Sequence, residues 1–298
     1  MSDQSWANLS EQAVGAAAVM YFVALLAYLV EWRTVARNDT EDRAAAAARS
    51  GYLISILAVA VNFVAVLARG LAAHRVPWGN MYEFTITGAF VVGFGYVALR
   101  PRLNLAWMGP LVLTFNFVVL IVGRFVLFTP VTNLSDALNS YWLVIHVSAL
   151  TIATGAFTLG GLASIIYLVK SRNPDVQTGW LSRVPSLTVL DRTSYRIHAV
   201  GFVIWTFGAL IAGPIWAHEA WGSYWNWDPK EVWAFITWVV YAGYLHARAT
   251  VGWRGRNAAV VAVIGLGTLW FNFIGINYFS STSQHSYARP SASEVVQP

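Results

Sequence analysis

One short stretch of this chain is far richer in flat aromatic side chains than its surroundings. Between residues 216 and 238 the sequence reads WAHEAWGSYWNWDPKEVWAFITW, and it lies between two long apolar runs. A loop with several ring faces offers a surface for a flat, largely apolar partner, and a porphyrin has that shape. One or two Trp residues would fit an ordinary membrane interface, but this density predicts a ligand surface. The candidate contacts are Trp221, Tyr224, Trp225, Trp227, Asp228 and Trp233.

Two histidines are predicted to lie at the same level as this aromatic surface. His146 comes soon after an apolar run begins at Tyr141, and His285 follows the end of the last apolar run. A neutral imidazole is a common axial ligand of haem iron, and a neighbouring group usually orients its second ring nitrogen. We therefore expect His146 and His285 to bind one haem iron from its two faces.

A third histidine, His246, needs a separate explanation. It lies 17 residues after Pro229, which is about 26 Å along a helix. At that distance it cannot contact a ligand on the aromatic loop, so a second haem site, a relay and a structural role all stay open. His198 is predicted at a comparable depth and could pair with it. His74 and His218 are interpreted as interfacial residues, with a substrate contact left open for His218.

The composition is that of a membrane protein. Of the 298 residues, 57% are hydrophobic and 11% are charged, whereas soluble domains carry about 25% charged residues. Several apolar runs are long enough to cross a bilayer. Cysteine is absent, which excludes disulfides, thiolate ligands and thiol redox chemistry of the chain itself. The net charge of +5 collects in alternate loops, where it indicates membrane orientation rather than nucleic-acid binding.

The predicted fold is all-α, a polytopic helical bundle with about eight transmembrane helices. The predicted segments are 12–32, 52–72, 81–100, 104–125, 141–169, 197–217, 229–248 and 257–279. Most Arg and Lys residues fall in the first, third, fifth and seventh loops, so the positive-inside rule places those loops in the cytoplasm. Both termini and the Trp-rich loop, at about 216–233, are then external (N-out and C-out).

Residues 1–288 are predicted to form a single transmembrane domain, and the Ser- and Pro-rich residues 289–298 a flexible tail. Within the domain, the sequence from Asp228 to Glu231 is a helix-start pattern. Asp is a favoured N-cap, Pro suits the first helical position, and Glu at the third position completes a capping box. The helix that carries His246 should therefore begin directly after the aromatic cluster.

The aromatic stretch closely resembles the tryptophan-rich WWD signature of haem-handling membrane proteins. Further matches follow in family order along nearly the whole chain: Pro77 with Asn80–Glu83, Tyr141–Trp142 with His146–Val147, Ser194–Arg196 with Gly201–Phe202, Tyr244–Arg248, and His285–Tyr287. On these residues the chain is similar to the CcsA (ResC) family of System II cytochrome c biogenesis.

This resemblance implies a haem-handling subunit of a holocytochrome c synthase, or haem lyase, complex. His146 and His285 match the family's external axial ligands, and His246 matches an intramembrane histidine that holds haem b on its way outward. The implied partners are a CcsB (ResB)-like membrane subunit and an apocytochrome c with a CXXCH motif. The resemblance also implies thiol-reducing proteins as indirect partners, and no nucleic acid. The implied location is a bacterial plasma membrane or a thylakoid-type membrane.

Two other functions stay open on the sequence alone. A haem exporter or chaperone without synthase activity would share the same aromatic loop. A membrane electron-transfer subunit of the cytochrome b type would also use paired histidines in helices. In a b-type subunit both ligands of each haem lie within the helical bundle, and no Trp-rich external loop is needed. The two classes differ in their acceptor, since a synthase needs an apocytochrome and a b-type subunit needs a redox partner.

Overall fold

The computed structural model describes residues 2–36, 41–131, 140–175, 179–280 and 283. His285 and the predicted tail 289–298 lie outside these residues. In the described ranges every regular element is helical, and seven helices are long and apolar enough to cross a membrane. The predicted all-α polytopic bundle is therefore confirmed, and the chain is an integral membrane protein.

The helices have the following bounds: α1 Asp3–Ala36, α2 Glu41–Ala73, α3 Met81–Leu103, α4 Gly109–Phe125, α5 Tyr141–Lys170, α6 Leu187–Phe207, α7 Gly213–Trp221, α8 Pro229–Thr250, α9 Arg256–Trp270 and α10 Ile276–Phe279. The helix α8 is not one of the seven apolar spans, since its Trp, Tyr and His residues, together with the charged residues near its ends, make it less apolar than the others. The number of eight membrane crossings and the side of the membrane that each loop faces remain predictions.

Several helices extend beyond the predicted segments, and α6 shows why. It starts at Leu187, ten residues before the predicted start at 197. Its first turns are amphipathic, because Leu190 and Ile197 are buried while Arg192 and Arg196 are exposed. A search for continuous apolar runs misses such turns, although burial on one side is enough to hold them.

Two of the long helices are interrupted by a single π-helical turn. Residues Gly208–Ala212 join α6 to α7, and residues Phe271–Gly275 join α9 to α10. A π turn holds an additional residue and occurs often at functional sites. The chain continues in helical form on both sides, so each pair still runs as one long rod.

The helices pack into two groups that a further apolar core connects. The first group, α1 to α4, packs around Tyr21 and Tyr28, and the connecting core lies between α3, α4, α5, α6 and α9. The second group, α5, α6, α8 and α9, packs around Phe157 and Tyr241. Small residues allow close approach in this second group, as a methyl group added at Gly161 would come within 2.7 Å of the Leu266 side chain. Close packing around small residues is what holds helices together where lipid surrounds them.

A buried ion network holds the loops at one end of the bundle. Glu83 of α3 is fully buried and accepts hydrogen bonds from the guanidinium groups of Arg69, at 2.9 Å, and Arg75, at 2.7 Å. Arg69 also donates to the backbone carbonyls of Thr129 and Pro130. A buried carboxylate with two guanidinium partners fixes three segments together. The network therefore sets the position of residues 76–80, which border the site described next.

Candidate functional site

A partly open cavity lies beside His146, at the end of the bundle that carries the Trp-rich loop, and its empty volume is about 890 Å³ when the space open to solvent is included. A second cavity of about 540 Å³ adjoins it and reaches Tyr224 and Trp225. His146 and Trp216 line both cavities. This end of the protein therefore offers a mainly apolar space, with several aromatic rings and one imidazole in the wall that the two cavities share.

The π turn after α6 fixes the orientation of the His146 ring. Its Nδ1 lies 2.8 Å from the backbone carbonyl oxygen of Gly208, the first residue of that turn. The ring is nearly parallel to the buried indole of Trp216, at 13° and 5.7 Å between ring centroids. On the remaining side, a methyl group at Gly213 would come within 2.9 Å of the imidazole Cε1. The imidazole is therefore packed on two sides and hydrogen-bonded through Nδ1.

This hydrogen bond decides which nitrogen of His146 can bind a metal. A carbonyl oxygen only accepts, so Nδ1 carries the proton and Nε2 carries the lone pair in the neutral ring. An imidazole oriented through its other nitrogen is the usual arrangement of a metal-ligating histidine. The geometry thus fits an axial ligand whose direction is set before a metal arrives.

Two polar atoms on residues that line the larger cavity have no partner in the described part of the chain. They are the indole Nε1 of Trp78 and the side-chain oxygen of Asn272, and both are buried. Buried polar atoms in proteins nearly always have a hydrogen-bond partner, so such atoms point to a missing water or ligand. One is a donor and the other an acceptor, so the cavity can meet a ligand that has polar as well as apolar parts.

Some of the predicted aromatic residues line a cavity, and others contact neighbouring rings instead. Tyr224 and Trp225 line the smaller cavity, and Tyr224 stacks on His218 at 4.2 Å. Trp221 instead makes an edge contact with Trp216 at 4.8 Å. Trp233 packs on Phe271 of the second π turn at 4.2 Å. The predicted loop at 216–233 is non-helical only at residues 222–228.

Asp228 and Glu231 lock this short loop, as the sequence pattern predicts. The Asp228 carboxylate accepts from the backbone N–H of Lys230 at 2.9 Å, and the Glu231 carboxylate accepts from the N–H of Asp228 at 3.1 Å. The predicted capping box is thus confirmed. Glu231 also accepts from the N–H of Asn226 at 2.9 Å, so one carboxylate holds both neighbours of Trp227.

Trp227 has a strained backbone and an exposed ring. Its φ is +56°, in the left-handed region, and its side chain is 77% exposed. For a bulky residue this conformation is an outlier that persists only where neighbouring contacts impose it. The two hydrogen bonds of Glu231 supply that restraint, and their effect is to display an indole on the surface of the loop.

His246 of α8 does not lie on the face of that helix that contacts His198 of α6. The His198 ring is fully buried against Tyr241 and Tyr244, at 5.2 and 5.4 Å between ring centroids, and a methyl group at Gly160 would come within 2.6 Å of it. His246 is exposed. It follows Tyr244 by two residues, or about 200° around the helix. The structure therefore does not bring these two histidines together.

The segment before His285 is tied to the Trp-rich loop. His285 itself lies outside the described residues, but the hydroxyl of Ser283 donates to the Asp228 carboxylate at 2.9 Å. Asp228 thus both caps α8 and holds the chain that follows α10. The two elements that the sequence analysis assigned to one site are linked at this carboxylate.

Trp216 and the Gly208 carbonyl are parts of the site that sequence reasoning missed. In the sequence Trp216 is only the first residue of the aromatic stretch, and the prediction of a helix at 197–217 does not include a π turn. A signal was present, because Gly208 is followed by Gly213 and Pro214. Small residues and proline within an apolar helix mark a place where the hydrogen-bond ladder changes.

Comparison with known proteins places this geometry in a known context. The profile of the family described as Cytochrome C assembly protein matches residues 78–283, a range that includes both cavities and the Trp-rich loop. Among curated proteins, the cytochrome c biogenesis protein CcsA of Synechococcus elongatus is 34% identical over 277 residues, covering 74% of this chain and 81% of that protein. CcsA of Porphyra purpurea is 30% identical over 305 residues, covering 88% of this chain and 93% of that protein.

A solved structure has a similar fold. The cytochrome c haem lyase CcmF superposes with a TM-score of 0.64 over 93% of this chain. The sequence identity is 16%, and this chain spans 49% of the CcmF chain. At that identity the similarity concerns the arrangement of helices alone.

Proposed function

Because this chain belongs to the CcsA family of cytochrome c assembly proteins, we propose that it moves haem b across the membrane and presents it for attachment. The acceptor is an apocytochrome c with a CXXCH motif, and the place of attachment is the pair of cavities beside the Trp-rich loop. In this proposal the loop and both termini face outward, as the distribution of arginine and lysine predicts.

The observation that supports the proposal most is the environment of His146. The ring lies in the wall shared by two cavities, and its Nδ1 is hydrogen-bonded to Gly208. In this tautomer Nε2 can coordinate the iron of a haem substrate, while Trp216, Tyr224 and Trp225 surround the macrocycle. The unsatisfied polar atoms of Trp78 and Asn272 provide hydrogen-bonding groups for the polar edge of the porphyrin.

We propose His285 as the second axial ligand at this site. Ser283 is held at Asp228, and two residues of extended chain span at most about 7 Å. A histidine two residues beyond Ser283 is therefore within reach of the Trp-rich loop. Iron held between two imidazoles leaves the edge of the porphyrin, with its vinyl groups, to meet the incoming acceptor.

His246 is proposed to hold haem at an earlier stage of its path. It is exposed on α8, on the side away from His198. Phe235 and Val239 lie on the same side of α8 as His246 and are 42% and 47% exposed. The exposed surface on this side of the helix is therefore apolar. An ionisable residue on an apolar membrane face is typically functional. We infer that a CcsB-like subunit covers this face and supplies the opposite ligand.

The chemistry of attachment needs position more than reactive protein groups. Each cysteine thiol of the acceptor adds across one vinyl group, so that a C–S bond forms and the thiol proton ends on the other vinyl carbon. The addition changes no net oxidation state, and no bond forms to this chain. Holding two reactants in a productive geometry can lower a barrier by about 7–11 kcal/mol. The histidines and aromatic rings described above supply that alignment.

Co-expression tests this proposal. The chain is produced with a CcsB-like partner and a small reporter that carries CXXCH, and covalent haem on the reporter is detected by haem staining. A reporter with both cysteines replaced by alanine is the control. Attachment that depends on this chain supports the synthase function. Haem bound to the purified complex without attachment to the reporter would instead favour a haem exporter or chaperone.

Trp227 allows stability and function to be separated. We expect Trp227→Gly to keep or raise the thermal unfolding midpoint, because glycine relieves a left-handed strain of about 1–3 kcal/mol. The same variant should lower haem attachment, because it removes the exposed indole. Trp253→Gly is the control, since Trp253 is exposed at the opposite end and has no positive φ. An equal loss of stability in both variants would contradict the assignment of backbone strain to Trp227.

A further inference from the structure

A basic recess lies at the end of the bundle opposite the Trp-rich loop. Its empty volume is about 750 Å³ when the space open to solvent is included, and four arginines and one carboxylate line it. The charged residues are Asp191, Arg192, Arg196, Arg248 and Arg254. Topology fixes its location, because α6 and α9 begin there and α8 ends there, whereas the Trp-rich loop joins the far ends of α7 and α8.

One ion pair organises the recess. Arg248 donates two hydrogen bonds to Asp191, at 2.7 and 2.8 Å. The same carboxylate accepts from the backbone N–H of Gly255 at 3.1 Å, which ties the loop that carries Arg254 to α6. The Arg248 guanidinium also lies over the Tyr195 ring, at 4.6 Å from its centroid. The walls are therefore fixed by α6, by α8 and by the loop between α8 and α9.

Positive charge exceeds negative charge in this recess. Asp191 neutralises Arg248, but Arg192, Arg196 and Arg254 are exposed and have neither a hydrogen bond nor a close ion pair within the described ranges. Guanidinium groups gathered in one recess repel each other, and a bound anion would relieve that repulsion. Arginine matches phosphate oxygens in a two-pronged geometry, so a phosphate is the anion that suits this set best.

The recess also lies at the level of a lipid headgroup. Tyr195, one of its walls, is 38% exposed, and Trp253 in the adjoining loop is 40% exposed. Exposed Tyr and Trp at helix ends are typical of the membrane interface. The exposed side chains of Val200 and Val203 continue the surface of α6 toward the membrane interior. An amphiphile with its phosphate in the recess could therefore lay its acyl chains along α6.

We propose that this recess binds the phosphate headgroup of an anionic phospholipid. Basic recesses between transmembrane helices are known to suit such headgroups. Neither the haem chemistry nor the Trp-rich loop uses these arginines, so this site is distinct from the function proposed above. Bound lipid would join α6 to α8, the helix that presents His246.

Lipid retention by the purified full chain tests the proposal. The probe is phosphatidylglycerol in detergent, compared with phosphatidylcholine, with bound lipid counted by native mass spectrometry. Arg192→Gln combined with Arg196→Gln should weaken phosphatidylglycerol binding by about tenfold to thirtyfold. Both side chains are exposed and unpaired, so the double variant should keep the wild-type elution volume in gel filtration.

The matched control removes two arginines elsewhere at the same end of the bundle. Arg43 and Arg49 are exposed on the first turns of α2, and Arg43→Gln with Arg49→Gln should change binding by less than about twofold if the recess is a specific site. An equal loss in both double variants would mean a general surface-charge effect and would overturn the proposal. So would displacement of the lipid by inorganic phosphate, which marks a soluble-anion site, or by haemin, which marks a substrate site.

Discussion

Replacing His146 with alanine is expected to empty the outer haem site. The imidazole is the only histidine that lines either cavity in the described part of the chain. Loss of a group that merely orients a metal ligand costs about 10–100-fold in affinity, so loss of the ligand itself should cost at least that much. The measurement is the pyridine-haemochrome content of the complex purified with its partner, together with its reduced absorption spectrum.

Added imidazole should partly restore the spectrum of His146→Ala, because the ligand pocket formed by Gly208, Gly213 and Trp216 is left in place. His74→Ala is the matched control. His74 is exposed and pairs with Asp3 at 3.0 Å, near the same end of the bundle but away from both cavities. The His74→Ala variant should keep the wild-type haem content. Wild-type haem content and spectrum in His146→Ala would remove this residue from the site.

Replacing Glu83 with glutamine is expected to destabilise the whole protein. The substitution leaves the guanidinium groups of Arg69 and Arg75 without the carboxylate that compensates them, and Arg69 is only 1% exposed. Breaking a buried pair in this way typically costs about 3–5 kcal/mol. For a chain of this size the thermal unfolding midpoint should fall by about 10 °C. The measurement is a thermal unfolding curve of the purified protein in detergent.

Glu11→Gln provides the comparison for this result. Glu11 pairs with Arg124 at 3.0 Å, but the two side chains are 29% and 36% exposed. A pair that solvent can reach contributes at most about 1 kcal/mol. The unfolding midpoint of Glu11→Gln should therefore stay close to that of the wild type. Equal midpoints for both variants would show that the buried network at Glu83 does not hold the loops.

Local patterns in the sequence are sufficient for the features that depend on neighbouring residues. Asp228 and Glu231 are three residues apart, and their capping box needs no information from elsewhere in the chain. The long apolar runs likewise predict the membrane helices. The environment of His146 could not be found in this way, because Gly208 and Trp216 come from other helices and meet it only in the folded bundle.

The depth of a residue in the membrane does not determine which residues it contacts, as His198 and His246 show. The sequence places both near the same end of the bundle, but it does not say which face of a helix each one occupies. Tyr241, Tyr244 and Arg248 follow each other at three- and four-residue spacing and form the face of α8 that meets α6. His246 is off that face. The spacing of these three residues therefore indicates that His246 does not lie on the face of α8 that contacts His198.

The π turn at Gly208–Ala212 has a consequence for the tolerance of this chain to changes in length. A π turn takes up its additional residue by widening one turn of the helix, so the helix beyond it keeps nearly the azimuth of a regular helix with one residue fewer. Deleting one residue between 208 and 212 would therefore restore a regular ladder and leave Trp216 on nearly the same side of the rod. The deletion would rebuild the turn whose Gly208 carbonyl orients His146, so it should loosen the His146 ring, whereas the same deletion in the loop before α6 should leave that hydrogen bond intact.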